Sequence, residues 1–217
     1  MALALFLDSC RCLPFLLAKR EAFLRDSLRV VFRLCSAVVE SEAKQDENAK
    51  GVSTNMPVPS QLAIAAYSFK SNSNLLQKSF DGLTAEEWLR RPNGTSNHLL
   101  WVVGHVLWAR GAVLGLLGSP WTAPAAALFA RGVKVEDADK YPVPEELSAA
   151  LSDSSARLTA ALEGASEEEL AKPGPEKIPS VDGTVGGVVS FLAFHETTHV
   201  GQAAYLRAYL GHPGVMG

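Results

Sequence analysis

Cysteine is scarce in this chain and sits where it cannot staple the fold. The three cysteines, Cys10, Cys12 and Cys35, all lie near the start. No disulfide framework can therefore hold the remainder, and a reducing cytoplasm is the expected location. Cys10-Arg11-Cys12 has no companion pair and reads as two incidental thiols. An excess of basic charge is also missing: 20 Lys and Arg face 23 Asp and Glu, for a net charge of −3. The basic residues form no stripe and no aromatic residues interleave with them, which argues against a nucleic-acid partner. Segments with period-two alternation are lacking, which argues against a sheet. So is an uninterrupted membrane-length apolar run. Leu99 to Leu117 comes nearest, but it contains His105, Arg110 and glycines. That composition fits a buried bundle helix better than a span, and no membrane partner is expected. Ala2 to Leu7 is apolar, yet no basic region precedes it and Asp8 interrupts it, which does not fit a secretory signal.

The 217 residues suffice for one domain of ordinary size and an appendage. Residues 1–55 read as a leader, partly helical or disordered. Phe15 to Val39 can be drawn as a helix carrying Arg20, Arg25, Arg29 and Arg33, and Glu40 to Asn55 is polar with almost no large apolar group. Three origins remain open for it: an organelle-targeting presequence, an over-extended start, or an added helix. Residues 56–217 read as the domain proper.

Within that domain the periodicity is helical throughout. Leu62, Ala65, Ala66, Phe69, Ser73, Leu76 and Phe80 keep one face of a first long helix, ended by Asp81-Gly82. Thr84 to Glu87 has the capping-box pattern of a short helix bearing Trp88 and Leu89. Ser96 or Asn97 can cap a second long helix running to about Leu117. Pro144-Glu145-Glu146 opens a third, with proline early and acid in the first turn. Ser166 to Glu169 is another capping box, and Thr184 to Leu210 is a fourth long helix closed by Gly211 and Pro213. Val185 to Val189 could pass for a strand, but the pattern through Leu192, His195, His199 and Leu206 continues a helix. The predicted fold is all-α: an up-down four-helix bundle with short connecting helices and an N-terminal extension.

The candidate chemistry lies in histidines. His195 and His199 stand four residues apart in Phe194-His195-Glu196-Thr197-Thr198-His199. That spacing stacks both imidazoles on one helical face, within reach of a single divalent cation. The pair extends a face made by Leu192, Ala203 and Leu206, and unpaired buried imidazoles are costly unless something binds them. His105 sits midway along the second long helix, beside Gly104, which permits close approach of backbone or ligand. His98 is the alternative third ligand, nearer a helix end, where exposure is expected. His212, beyond Gly211, is expected to be solvated. His195-Glu196-x-x-His199 also fits the zinc-peptidase pattern with Glu196 as general base. The longer form of that pattern needs glycine and histidine where Gln202 and Tyr205 stand, and only 18 residues follow His199. Glu196 is expected to face solvent or an arginine.

Taken together, these residues resemble the DinB/YfiT-like family of metal-binding four-helix bundles over about Val58 to Gly211. The likeness rests on Ser96 to His105, on His195-x-x-x-His199, and on Gly201-Gln202 with Tyr205-Leu206-Arg207. It implies a site in which His105, His195 and His199 hold a divalent ion, zinc or nickel, often in a homodimer. It also implies a transferase or isomerase that uses a low-molecular-weight thiol on a small-molecule substrate. The residues alone leave the reaction open. A three-histidine site can activate a thiol or water, in the manner of a thiol transferase or a hydrolase, with Gln202, Asn97 or Tyr67 orienting substrate or ligands. The competing reading is a non-catalytic, stress-associated metal-binding bundle. In a catalytic site the ion keeps an exchangeable ligand, whereas a structural site closes with a fourth protein ligand.

Overall fold

A computed structural model describes residues 58–216. The leader expected over residues 1–55 lies outside the described residues. After a 3-10 turn over Ser60–Leu62 come α1 (Ala63–Phe80), α2 (Ala85–Leu89), α3 (Leu99–Leu116), α4 (Pro144–Gly164), α5 (Glu167–Leu170) and α6 (Val185–Tyr209). Two further 3-10 turns, Ala126–Phe129 and Ala138–Lys140, lie in the long connection between α3 and α4. No strand occurs among the described residues, and Val185 to Val189 is helical.

The local signals explain most boundaries. Thr84 and Ser166 form complete capping boxes with Glu87 and Glu169. Pro144 occupies the first turn of α4, where its missing N–H costs nothing. Thr184 caps α6 by accepting from the Gly187 N–H. One cap differs from expectation. Neither Ser96 nor Asn97 caps α3; His98 does, its Nδ1 accepting from the Trp101 N–H at 3.0 Å. Asn93 and Arg91 instead organise the preceding loop. The Asn93 amide oxygen accepts from Thr95 and Ser96 N–H, and Arg91 donates to the Thr95 and Ser96 carbonyls.

The four long helices form a closed array. α1 and α3 each pack against both α4 and α6, which makes α1 diagonal to α3. Contacts between named residues give the directions. Gln61 lies beside Gly186 at one end of the α1/α6 pair, and Arg207 donates to the Asp81 carbonyl at the other, so these helices run the same way. His98 meets Tyr141 at one end of α3 and α4, and Arg110 meets Ser154 further along, so these two are also parallel. Ser73 meets Ser155, and Arg110 meets Glu196, across antiparallel pairs. The order is therefore up, down, down, up, not a simple alternation. Residues 117–143 make this possible by returning the chain along the bundle between α3 and α4.

The core has two apolar halves. One contains Leu76, Phe80, Trp88, Val103, Leu107, Leu147, Leu151 and Leu206. The other contains Leu62, Phe69, Val113, Leu114, Leu158, Leu162, Val188 and Leu192. Between them, one polar level crosses all four long helices. Arg110 on α3, fully buried, donates from Nε and Nη2 to the two carboxylate oxygens of Glu196 on α6, at 2.9 and 2.8 Å. Its remaining donors reach Ser154 and Ser155 on α4 and Ser73 on α1, at 3.1, 2.9 and 2.8 Å. All five guanidinium N–H groups are thus satisfied. Asn72 donates to Thr197 at 3.1 Å beside this level. Leu99–Leu116 is the one helix among the described residues long and apolar enough to cross a membrane by length and composition, and most of it is buried within the bundle.

Two measurements follow from this packing. Glu196→Ala strands a buried guanidinium, and Arg110→Ala strands a buried carboxylate. Each is expected to cost about 3–5 kcal/mol in urea unfolding; a loss below about 1 kcal/mol would show that water or rearrangement satisfies the survivor. The second concerns acid. Burial, followed by the nearby Arg91 charge, pushes His98 down to about 4. In the unfolded chain it takes up a proton near 6.5. The folded state thus prefers the neutral ring that accepts from Trp101. Its stabilising contribution is complete above pH 6.5 and declines as pH falls through 6.5 toward 4. Chelator-treated His98→Asn keeps a capping acceptor without the proton. Its stability is expected to fall less between pH 7 and 5 than that of the unsubstituted protein, and equal slopes would contradict the assignment.

Candidate metal centre

The polar level fixes how α3 and α6 face each other, and the histidines lie just to one side of it. Glu196, not a histidine, occupies the middle of the buried stripe of α6, between Leu192 and Val200. His195 and His199 flank that stripe and are half-buried, while His105 on α3 is buried. The reading that set both histidines squarely on the apolar face is corrected by this placement. They lie at its edge, where rings can meet a neighbour and still reach open space.

The three rings converge. One nitrogen from each of His105, His195 and His199 lies within 4.8 Å of the others. The Nε2 atoms of His195 and His199 are 3.1 Å apart. That pair meets the roughly 3–4 Å spacing of tetrahedral ligands, and the set as a whole is somewhat looser. The centroid of the His105 ring is 4.7 Å from that of His199 and 5.3 Å from that of His195.

Neighbouring groups orient the rings. His105 is sandwiched on its own helix between Trp101 and Trp108, at centroid distances of 4.8 and 5.3 Å. Its Nδ1 lies 2.6 Å from the Phe129 carbonyl. A carbonyl only accepts, so Nδ1 carries the proton and Nε2 keeps a lone pair. Gly104 allows this arrangement, because a Cβ there would stand 2.3 Å from the Phe129 ring. His199 Nδ1 donates to the Gln202 side-chain oxygen at 2.9 Å, which likewise frees its Nε2. His195 Nδ1 is buried and has no hydrogen-bond partner among the described residues.

All three imidazoles are held neutral. Burial lowers each of them, taking His195 to about 4 with help from His199, His105 and Arg131. The bonds to Phe129 and Gln202 oppose the lowering at His105 and His199 without reversing it. Neutral rings with directed lone pairs are what divalent ions of the first transition row require. The donor set therefore fits such an ion. Among the described residues no fourth His, Cys, Asp or Glu joins the group.

Other candidates fall elsewhere. His98 is buried rather than exposed and is committed to its cap. His212 is not free in solvent but bridges to Glu87 at 2.8 Å. Glu196 faces an arginine, one of its two expected positions, and that pairing removes it as a general base. Asn97 and Gln202 share a cleft with Thr198 and Tyr205. Tyr67 is largely exposed on α1, beside a different groove with Lys70 and Ser73. The Phe129 carbonyl escaped sequence reasoning, since nothing local marks a main-chain oxygen in an irregular connection. Arg110 did carry a signal, because a charge inside an apolar helical run must find a buried partner.

Gly104→Ala is expected to push the Phe129 ring away and cost about 1–3 kcal/mol by overpacking. The His105 Nδ1–H resonance should lose its hydrogen-bonded shift in the same variant. Unchanged stability and an unchanged resonance would show that Phe129 does not depend on that gap.

The family model for the DinB superfamily matches residues 68–203, well over half of the chain and all of the segment that carries the three histidines. No curated protein matches the chain. On this match and this bundle, the chain belongs to the DinB superfamily.

Proposed function

We propose that the protein is a metal-dependent enzyme whose divalent ion, zinc or nickel, is held by His105, His195 and His199. The observation that carries this reading is the convergence of three neutral imidazoles with no fourth protein ligand among the described residues. Structural sites close their coordination with protein groups, whereas catalytic ones leave a position open. Glu196 is the nearest acid in sequence to the pair, and its carboxylate is occupied by Arg110. That favours an enzyme over the non-catalytic, stress-associated bundle.

The chemistry supplied by such an ion is the lowering of the pKa of a thiol or water, which becomes a nucleophile near neutral pH. The residues do the rest. Phe129 and Gln202 hold the tautomers of His105 and His199, keeping the lone pairs aimed at one point. Trp101 and Trp108 clamp the His105 ring and exclude water from its faces. The cleft lined by Asn97, Thr198 and Gln202, about 500 Å³, would take a low-molecular-weight thiol, and Gln202 links it to His199. A thiol transferase or isomerase is the favoured reaction, with hydrolysis as the variant that uses water. A cytoplasmic setting supplies both the thiol and the reducing conditions. Ile64 and Tyr67 on α1 and Phe194 on α6 are large exposed apolar side chains of the kind a homodimer would cover.

Elemental analysis of protein purified without an affinity tag tests the reading. His199→Ala and His195→Ala should each lose most of the bound metal, while Gln202→Ala keeps the ligands and should weaken affinity about 10–100-fold. Unchanged metal stoichiometry in both histidine variants would rule out the site.

A further inference from the structure

A second pocket shares no lining residue with the cleft around Gln202. Its volume is about 330 Å³, at the small end for organic ligands. His105 and His195 form part of its lining. Trp108, Phe191 and Ile178 give it apolar walls. Two irregular segments complete it: Arg131 comes from the connection between α3 and α4, and Lys177 from that between α5 and α6.

The charges of this pocket are one-sided. Arg131 and Lys177 both line it, and none of the lining residues is acidic. Neither cation has an ion pair or a side-chain hydrogen bond among the described residues. Exposed cations without an ion pair occur elsewhere too, at Lys70, Lys78, Lys134 and Lys172, so what sets Arg131 and Lys177 apart is that they share one acid-free pocket. Arg90, Arg110, Lys140 and Arg157 each face a carboxylate. An arginine fork matches a carboxylate in two parallel bonds, and a lysine adds a mobile point charge. Apolar walls beside them favour a ligand with a hydrocarbon or aromatic body.

We propose that this pocket binds a small organic carboxylate with an apolar body, its carboxylate on Arg131 and Lys177 and its other end against His105 and His195. The assignment rests on the metal-centre reading in so far as the ligand is the substrate. It names the pocket through which that substrate approaches, separate from the cleft lined by Gln202. The two cations are positioning residues for the ligand and supply its charge selectivity.

Calorimetric titration of the full chain tests this, with the protein both metal-loaded and chelator-treated. The probes are phenylacetate and 4-methylpentanoate, with phenylacetamide as the uncharged match and inorganic phosphate as an anion without an apolar body. Both carboxylates should bind saturably and shift the ring-proton resonances of His105 and His195. Phenylacetamide and phosphate should bind at least ~10-fold more weakly. The double variant Arg131→Gln, Lys177→Gln should weaken carboxylate binding by ~10-fold or more, with metal content and helix content unchanged. Failure of both carboxylates to saturate, or equal binding to the double variant or by the amide, would overturn the proposal. The two readings fail separately. Carboxylate binding to a protein that takes up no metal would remove the metal-centre reading and leave the pocket. A metal-loaded protein that ignores both carboxylates would do the reverse.

Discussion

One buried ion pair sets the register of this bundle. Arg110 and Glu196 meet in two parallel hydrogen bonds at mid-height, and Ser73, Ser154 and Ser155 complete the guanidinium from the other two long helices. Sliding any one helix by a turn would leave a buried charge or a buried N–H without its partner, at a cost of several kcal/mol on the order of the whole net stability of a small domain. Buried pairs of this kind add little stability over well-packed apolar groups. Their effect here is specificity. The two apolar halves of the core, each tolerant of some slippage on its own, are locked to one alignment by the polar level between them.

The candidate centre follows from that alignment. His195 and His199 flank Glu196 on α6, and His105 lies one and a half turns before Arg110 on antiparallel α3. Once Arg110 and Glu196 are joined, the three rings have few places to go except together. The connection over residues 117–143 then supplies what the helices lack. Its Phe129 carbonyl fixes the His105 tautomer, and its Arg131 adds positive charge beside His195. Helices provide the rigid frame, and irregular segments provide the fine orientation and the pocket wall. That division of labour is common for sites built on scaffolds.

Much of this was legible in the sequence. Capping boxes at Thr84 and Ser166, proline at the head of α4 and the four apolar periodicities gave the helices and their order. His195 and His199 were legible because their spacing is local. What escaped was what depends on distant partners. α3 is apolar on nearly all sides, so its pattern does not say which face meets α6 and which meets α4. The edge position of the histidines is not legible, because solvent and an arginine are both open to Glu196 in the sequence and nothing local puts it at the centre of the buried stripe. His98 as a cap was missed for a related reason. A neutral imidazole makes an unusual cap, and its neutrality comes from burial that no local pattern reveals. The up-down-down-up order depends on how residues 117–143 return, which their irregular composition does not disclose.

The proposed centre holds one divalent ion on three imidazoles from two helices, with a position left open. X-ray absorption spectroscopy of the full chain loaded with zinc or nickel tests it most directly. The prediction is a shell of three imidazole nitrogens at roughly 2.0–2.1 Å for zinc, plus a light-atom ligand that exchanges when a small thiol is added. A shell containing sulfur before any thiol is added would place the metal on the cysteines near the start of the chain. Such a shell, or one with fewer than three imidazoles, would contradict the account.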